Sequence, residues 1–278
     1  AYFGRRTIML CKIYAILFFA SKPAMIVYQE YPPLPALRPW LDCVWTCRVQ
    51  TGATPLTHQV LPDNCIDILC QDQQDASFAV GMMTAPIAVV SLGLVQTVAA
   101  RFKPGAAARF FQLPLCELND GRTGLQQLWG RELAARLGDA LWCEPLTNVQ
   151  RVSILQEYLL LRLRTVSPRR QAGAAEHAIA TIEAAAGQVR VDGLAQQLGV
   201  SRQHLALQFR QQVGISPKLF ARICRFRAAS QGMRSLVGQQ DWAQVALQYG
   251  YFDQSHLIHD FQDFAHSTPD ARAARHRA

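Results

Sequence analysis

Long apolar runs are missing from this chain. No stretch of its 278 residues approaches the ~18 consecutive apolar residues of a membrane-spanning helix, so no membrane partner is expected. A Gly-rich phosphate loop and a nucleophile elbow are also absent, which removes the usual signatures of nucleotide hydrolases and serine hydrolases. Histidine is scarce where a catalytic metal barrel would need it. His58 is the sole histidine between Met25 and Gly173, and a lone histidine is usually structural. An enzyme is therefore not expected, and no cofactor is.

Cysteine is present but without a disulfide framework. The eight residues, at 11, 43, 47, 65, 70, 116, 143 and 224, show no paired spacing, and a chain of this size does not need staples. They read as free thiols in a reducing, cytoplasmic setting. Cys43, Cys47, Cys65 and Cys70 leave one alternative function open, a metal- or thiol-modified sensor protein, although their spacings are not those of zinc knuckles.

Positive charge looks abundant until it is located. The formal net charge is +8, but Lys and Arg outnumber Asp and Glu by 4 to 0 in residues 1–24, 13 to 12 in 25–170 and 11 to 8 in 171–278. Half of the excess thus lies in a short tail, and bulk charge does not establish nucleic-acid binding. That tail sets Arg5, Arg6 and Lys12 ahead of the apolar run Ile13–Ala20, eight residues long, too short to cross a bilayer. Residues 1–24 are expected to lie outside the fold, with membrane anchoring as the alternative.

From Ile26 to about Ala108, short branched runs such as Cys65–Leu69 and Ile87–Val90 alternate with turn formers including Pro62-Asp-Asn64 and Pro104-Gly105. This predicts a β-rich, barrel-like domain. After Pro114 the period changes to that of helices: Leu125, Leu128, Trp129, Leu133, Leu137 and Leu141 share one face, and a second helix is expected over Asn148–Arg164. The wide apolar face of that helix would pack on its own β domain or, alternatively, form a homodimer interface. The Pro, Gly and charge in Thr165–Gly173 mark a linker. The expected class is α+β: residues 25–165 a β-rich sensor or dimerisation domain ending in helices, 166–173 a linker, and 174–278 an all-α domain with two helix-turn-helix motifs.

An internal repeat supports the last assignment. Leu194-Ala-Gln-Gln-Leu-Gly-Val200 matches Val245-Ala-Leu-Gln-Tyr-Gly-Tyr251, and after one inserted residue, Phe252, Ser201–Phe209 aligns with Asp253–Phe261. Each copy fits helix, tight turn, helix, over about 191–212 and 241–264. Gly199 and Gly250 suit a positive φ, Ser201 and Asp253 suit N-caps, and Leu205/Phe209 and Leu257/Phe261 form buried i, i+4 stripes. Between the copies Ser216-Pro217 opens a helix whose core stripe is Leu219, Ile223, Phe226, Met233 and Val237. Its Lys218, Arg222, Arg225, Arg227 and Arg234 are either a solvated basic surface or phosphate contacts.

With these residues in view, the stretch from about Ala174 to Ala278 resembles the DNA-binding domain of the AraC/XylS family, most closely in Gly250-Tyr-Phe-Asp-Gln-Ser-His-Leu257. The resemblance implies a sequence-specific transcriptional regulator whose two recognition helices enter successive major-groove segments on one face of the duplex. Residues 61–68, Phe102–Gly105 and Leu128–Gly130 resemble an uncharacterised domain often fused to such readers, which supplies no ligand. The partners expected are double-stranded DNA, RNA polymerase and an unidentified small-molecule or protein effector.

Helix geometry selects the reading residues. With Leu205 and Phe209 inward, Gln203, Leu207 and Arg210 turn outward with Arg202 at the flank. In the second helix Ser255, His259 and Gln262 turn outward, with Gln254 near the N-terminal end. Gln pairs bidentately with adenine, and Arg with guanine or phosphate. The candidate DNA-binding set is Arg202, Gln203, Leu207, Arg210, Gln254, Ser255, His256 and His259. Position 207 is Leu and position 259 is His, where many relatives place Arg, and both reduce guanine readout or shift it to apolar contact with thymine methyls. His204 and His256 sit at matching repeat positions, where packing of the turn is the preferred reading over base contact.

Overall fold

The computed structural model describes residues 25–73, 77–165, 173–233 and 241–277. The tail 1–24, linker residues 166–172, Arg234 and Val237 lie outside the described residues.

Among the described residues, eight strands precede the α-helices. They are β1 (Met25–Tyr31), β2 (Leu41–Gln50), β3 (Leu56–Val60), β4 (Ile66–Gln71), β5 (Ser77–Val80), β6 (Ile87–Ser91), β7 (Leu94–Phe102) and β8 (Arg122–Gly124). Six form a sheet of order β1-β2-β7-β4-β5-β8, and β3 and β6 pair separately. The β-rich assignment holds, but the sheets do not close: β3 and β6 bond only to each other, which leaves β1 and β8 as open edges.

Alternation explains why β2 and β7 are the centre of this domain. Cys43, Trp45, Cys47 and Val49 of β2 join Ala99 of β7 and Leu56 of β3 in one apolar cluster. The opposite face, with Val44, Val98, Ala100 and Phe102, belongs to the larger core that faces the helices. Because both faces of β7 are covered, its sequence is a near-continuous buried run instead of a hydrophobic–polar alternation.

The helical face predicted after Pro114 is divided in two. Gly130, at φ +90°, separates α1 (Leu125–Trp129) from α2 (Arg131–Trp142), since a left-handed residue cannot continue an α-helix. The next helix, α3 (Asn148–Arg164), has the predicted bounds and starts with a capping box between Thr147 and Gln150. Val152, Leu155 and Leu159 are buried in the core of the β domain, and the Leu34 N–H donates to Gln156 Oε1 at 2.6 Å. Packing on its own domain is thus the observed role of that face, while Val149 and Leu161 stay exposed.

The helices that follow are α4 (Ala174–Ala184), α5 (Val191–Gln197), α6 (Arg202–Gln212), α7 (Pro217–Gly232), α8 (Trp242–Gln248), α9 (Gln254–Ala265) and α10 (Pro269–Arg277). Among the described residues none of the helices is long and apolar enough to cross a membrane.

The β-rich and helical parts share one core, which runs from Leu37 to Ala265. The turn before β4 makes the most specific contacts. Asn64, at φ +61°, donates from Nδ2 to the Phe220 carbonyl at 3.0 Å and to Cys224 Sγ at 3.2 Å, and Arg227 Nη1 donates to the Asp63 carbonyl at 2.6 Å. The Asp63 carboxylate lies 3.8 Å from Arg101, which also bonds Asp67 at 3.1 Å inside the β domain. A second contact closes the end of α6: Asn119 Nδ2 donates to the Gly214 carbonyl at 2.7 Å.

Candidate nucleic-acid interface

Both repeat copies form the expected helix pairs, and their caps explain where each reading helix begins. Ser201 Oγ accepts the His204 N–H at 3.1 Å at the start of α6. Asp253 Oδ1 accepts the His256 N–H at 2.8 Å at the start of α9. Each cap satisfies an amide that the helix itself leaves unpaired. Gly199 and Gly250 adopt φ +66° and +75°, the left-handed values that let the chain turn between helices. Leu205, Phe209, Leu257 and Phe261 are fully buried, with Leu194, Ala195, Val245 and Ala246 packed beneath them.

Helix α7 joins the two pairs. Ser216 Oγ accepts the Leu219 N–H at 3.2 Å, and Pro217 occupies the first turn. Ile223, Phe226 and Met233 of the predicted stripe are buried and Leu219 is half-buried, but Phe220 and Ala221 are buried as well, so the apolar face is wider than one stripe. Phe220 meets Phe209 of α6 edge-on at 5.5 Å, and Phe226 meets Phe261 of α9 at 4.9 Å. One helix thereby packs against both reading helices through aromatic contacts.

The basic residues of α7 divide by task. Arg222 donates to Asp260 of α9 from Nε at 2.9 Å and from Nη2 at 2.7 Å, and to Asp263 at 2.6 Å. Arg225 donates to the Gly250 carbonyl at 3.1 Å and stacks over Tyr251. Arg227 holds the Asp63 carbonyl. Only Lys218 of the described basic residues on this helix is exposed. Arg222, Arg225 and Arg227 are therefore struts between elements, a role that spacing along the helix could not reveal because their partners are distant in sequence.

On α6, Arg202, Gln203, Leu207 and Arg210 are all exposed, and Arg202 pairs with Asp192 of α5 at 3.0 Å. On α9, Gln254, Ser255, His259 and Gln262 are exposed. His256 differs. Its ring is half-buried edge-on against Tyr251, its Nδ1 accepts the Phe252 N–H at 3.4 Å, and burial together with nearby Arg225 lowers its pKa. It braces the turn. His204 is exposed, with its ring 2.8 Å from the Gln208 amide nitrogen. Phe252, the inserted residue, is the most exposed large apolar side chain described, at 86%.

The cysteines of the β domain do not gather. Among the described residues no three His, Cys, Asp or Glu side chains are grouped to hold a metal ion. Burial pushes the Cys47 thiol up to about 11 and the Cys70 thiol to about 12, and raises Cys43 and Cys65 as well. Few thiolates would exist at neutral pH to ligate or react.

Comparison with family models agrees with the paired helices. Residues 194–275 match a family described as a helix-turn-helix domain, and residues 29–123 match one described as a domain of unknown function. No curated protein matches the chain. Among solved structures, ToxT from Vibrio cholerae is similar at 10% identity over 91% of this chain and 99% of that one, with a TM-score of 0.40. The unsaturated fatty acid-bound form of the same protein gives 11% identity over 91% and 95%, with a TM-score of 0.39. The chain carries a helix-turn-helix domain at residues 194–275 behind a domain of unknown function at residues 29–123, and the helix-turn-helix match supports a DNA-binding transcriptional regulator.

Proposed function

We propose that the protein reads two successive major-groove segments, α6 entering one and α9 the next, with α7 as the spacer. Arg202, Gln203, Leu207 and Arg210 face the first segment, and Gln254, Ser255 and His259 the second, while His256 supports the turn at its edge. The observation that carries this reading is the exposure of both outward faces: the β domain docks at the C-terminal end of α6 through Asn119 and Gly214 and leaves the N-terminal turns of both reading helices uncovered. Recognition helices contact bases through those N-terminal turns.

In this reading residues 25–165 form a sensing domain, residues 166–173 a linker and residues 174–278 the reader. A small molecule or protein effector acts on the first domain and changes how firmly Asp63 and Asn64 hold α7. RNA polymerase is the partner at the promoter, and a homodimer is an accessory state. Selection of duplexes from a random library tests the two-segment claim. A bipartite motif with its halves about 10 base pairs apart supports it, and enrichment of one short contiguous motif overturns it.

A further inference from the structure

Charge separates the two helix-turn-helix copies. Residues 191–212 hold Arg202 and Arg210 against Asp192, whereas residues 241–264 hold Asp241, Asp253, Asp260 and Asp263 and no Lys or Arg. At the repeat offset of 52 residues, Gln254 and Gln262 stand where the first copy has its two arginines. Affinity for the phosphate backbone comes largely from cations, so the second copy lacks the means by which the first would anchor.

The aspartates of the second copy are occupied within the protein. Asp241 and Asp253 accept backbone N–H groups at the starts of α8 and α9, Asp260 is buried on Arg222, and Asp263 shares the same guanidinium. What remains on the outward face of α9 is Gln254, Ser255, His259 and Gln262, and His259 alone among them can become a cation. Its side chain is 70% exposed. On its own helix Asp263 Oδ2 lies 3.7 Å from Nε2, and Asp260 turns inward. From α7, Arg222 engages Asp263 at 2.6 Å.

We propose that His259 is a proton-dependent DNA contact, through which the second reading helix grips the duplex more tightly when its imidazole is charged. Asp263 holds the ring at the helix surface without cancelling its charge, because that carboxylate is already shared with Arg222. The first copy, with Leu207 at the equivalent position and two permanent cations, binds independently of proton uptake. The inference rests on the two-segment reading above.

The test uses the full chain and a duplex that it enriches from a random library, with affinity measured near pH 6 and near pH 8 at fixed ionic strength, the range in which histidine ionises. Wild-type protein is expected to bind about threefold or more tighter at the lower pH, the gain of a charge-assisted contact over a neutral one. His259→Gln should bind weakly at both values. His259→Arg should bind tightly at both and steepen the salt dependence by about 0.9 in the slope of log K against log salt. His204→Gln, at the exposed histidine of the first copy, should keep the wild-type response. Persistence of the pH effect in His259→Gln, or its absence from wild type, overturns the proposal while leaving two-segment reading intact. Failure to enrich any duplex overturns that reading as well.

Discussion

Asn64 and Phe220 meet across the junction of the β-rich and helical parts, where the Asn64 side-chain amide donates to the Phe220 carbonyl at 3.0 Å. Asn64 holds a left-handed φ of +61° to do so, a conformation that asparagine tolerates better than most residues. The bond is buried on both sides and adds to the Phe220 carbonyl's own helical bond, so its loss removes a buried link between the two parts.

Asn64→Ala is therefore expected to destabilise the chain by about 2–3 kcal/mol, combining a lost buried hydrogen bond with left-handed strain. Asn64→Gly removes the bond without the strain and should cost less. Chemical denaturation of both variants checks the ordering. Equal stability of Asn64→Ala and wild type would refute the role of this contact.

Arg222 and Asp260 supply a second test. Asp260 has no solvent exposure and Arg222 is partly exposed, so removal of the arginine strands a buried carboxylate. Arg222→Ala should cost about 3 kcal/mol, near the low end for a broken buried pair because solvent reaches the guanidinium side. Arg222→Ala/Asp260→Leu should recover much of that loss. A double variant no better than the single one would show that the pair is not what holds α9 to α7.

The contrast between these two contacts shows what sequence could convey. Ser201, Gly199, Leu205 and their repeat partners were legible because capping, positive φ and i, i+4 burial are local rules. The separate pairing of β3 with β6 was not, because strand partners are chosen by long-range packing and short runs look alike whichever sheet they join. Nor was the role of Arg222, Arg225 and Arg227. Basic residues on a helix give the same pattern whether they face water, phosphate or a carboxylate 38 residues away, as Asp260 is from Arg222. The His256 ring, beside the cap of its helix, meets Tyr251 edge-on.

His58 predicts a pH effect on stability. Burial lowers its pKa, so the unfolded chain takes up a proton near the ordinary histidine value while the folded chain resists it. Its contribution is present at neutral pH and is lost as pH falls through the unfolded value of about 6.5. His58→Leu should reduce the loss of stability between about pH 7 and pH 5. Its Nδ1 makes no hydrogen bond in the structure, so the variant should remain close to wild type at neutral pH. An unchanged pH profile in His58→Leu would count against this assignment.

Thiol reactivity should follow burial. Cys116 and Cys143 are exposed, whereas Cys43, Cys47, Cys65 and Cys70 are buried with raised pKa values. Brief alkylation of native protein, mapped by mass spectrometry, should label Cys116 and Cys143 well before the other four. Rapid labelling of Cys43 or Cys65 would revive a thiol-sensing role.

The central claim, two reading helices on two DNA segments, is tested most directly by base preference in two single variants. The preferred duplex selected by wild-type protein is mutated position by position, and binding is measured for Gln203→Ala and Gln254→Ala. Each variant is expected to lose about 1–3 kcal/mol of discrimination at one base pair, and the two affected positions should lie about one helical turn apart. Loss at the same position in both variants, or unchanged discrimination in either, would contradict the account.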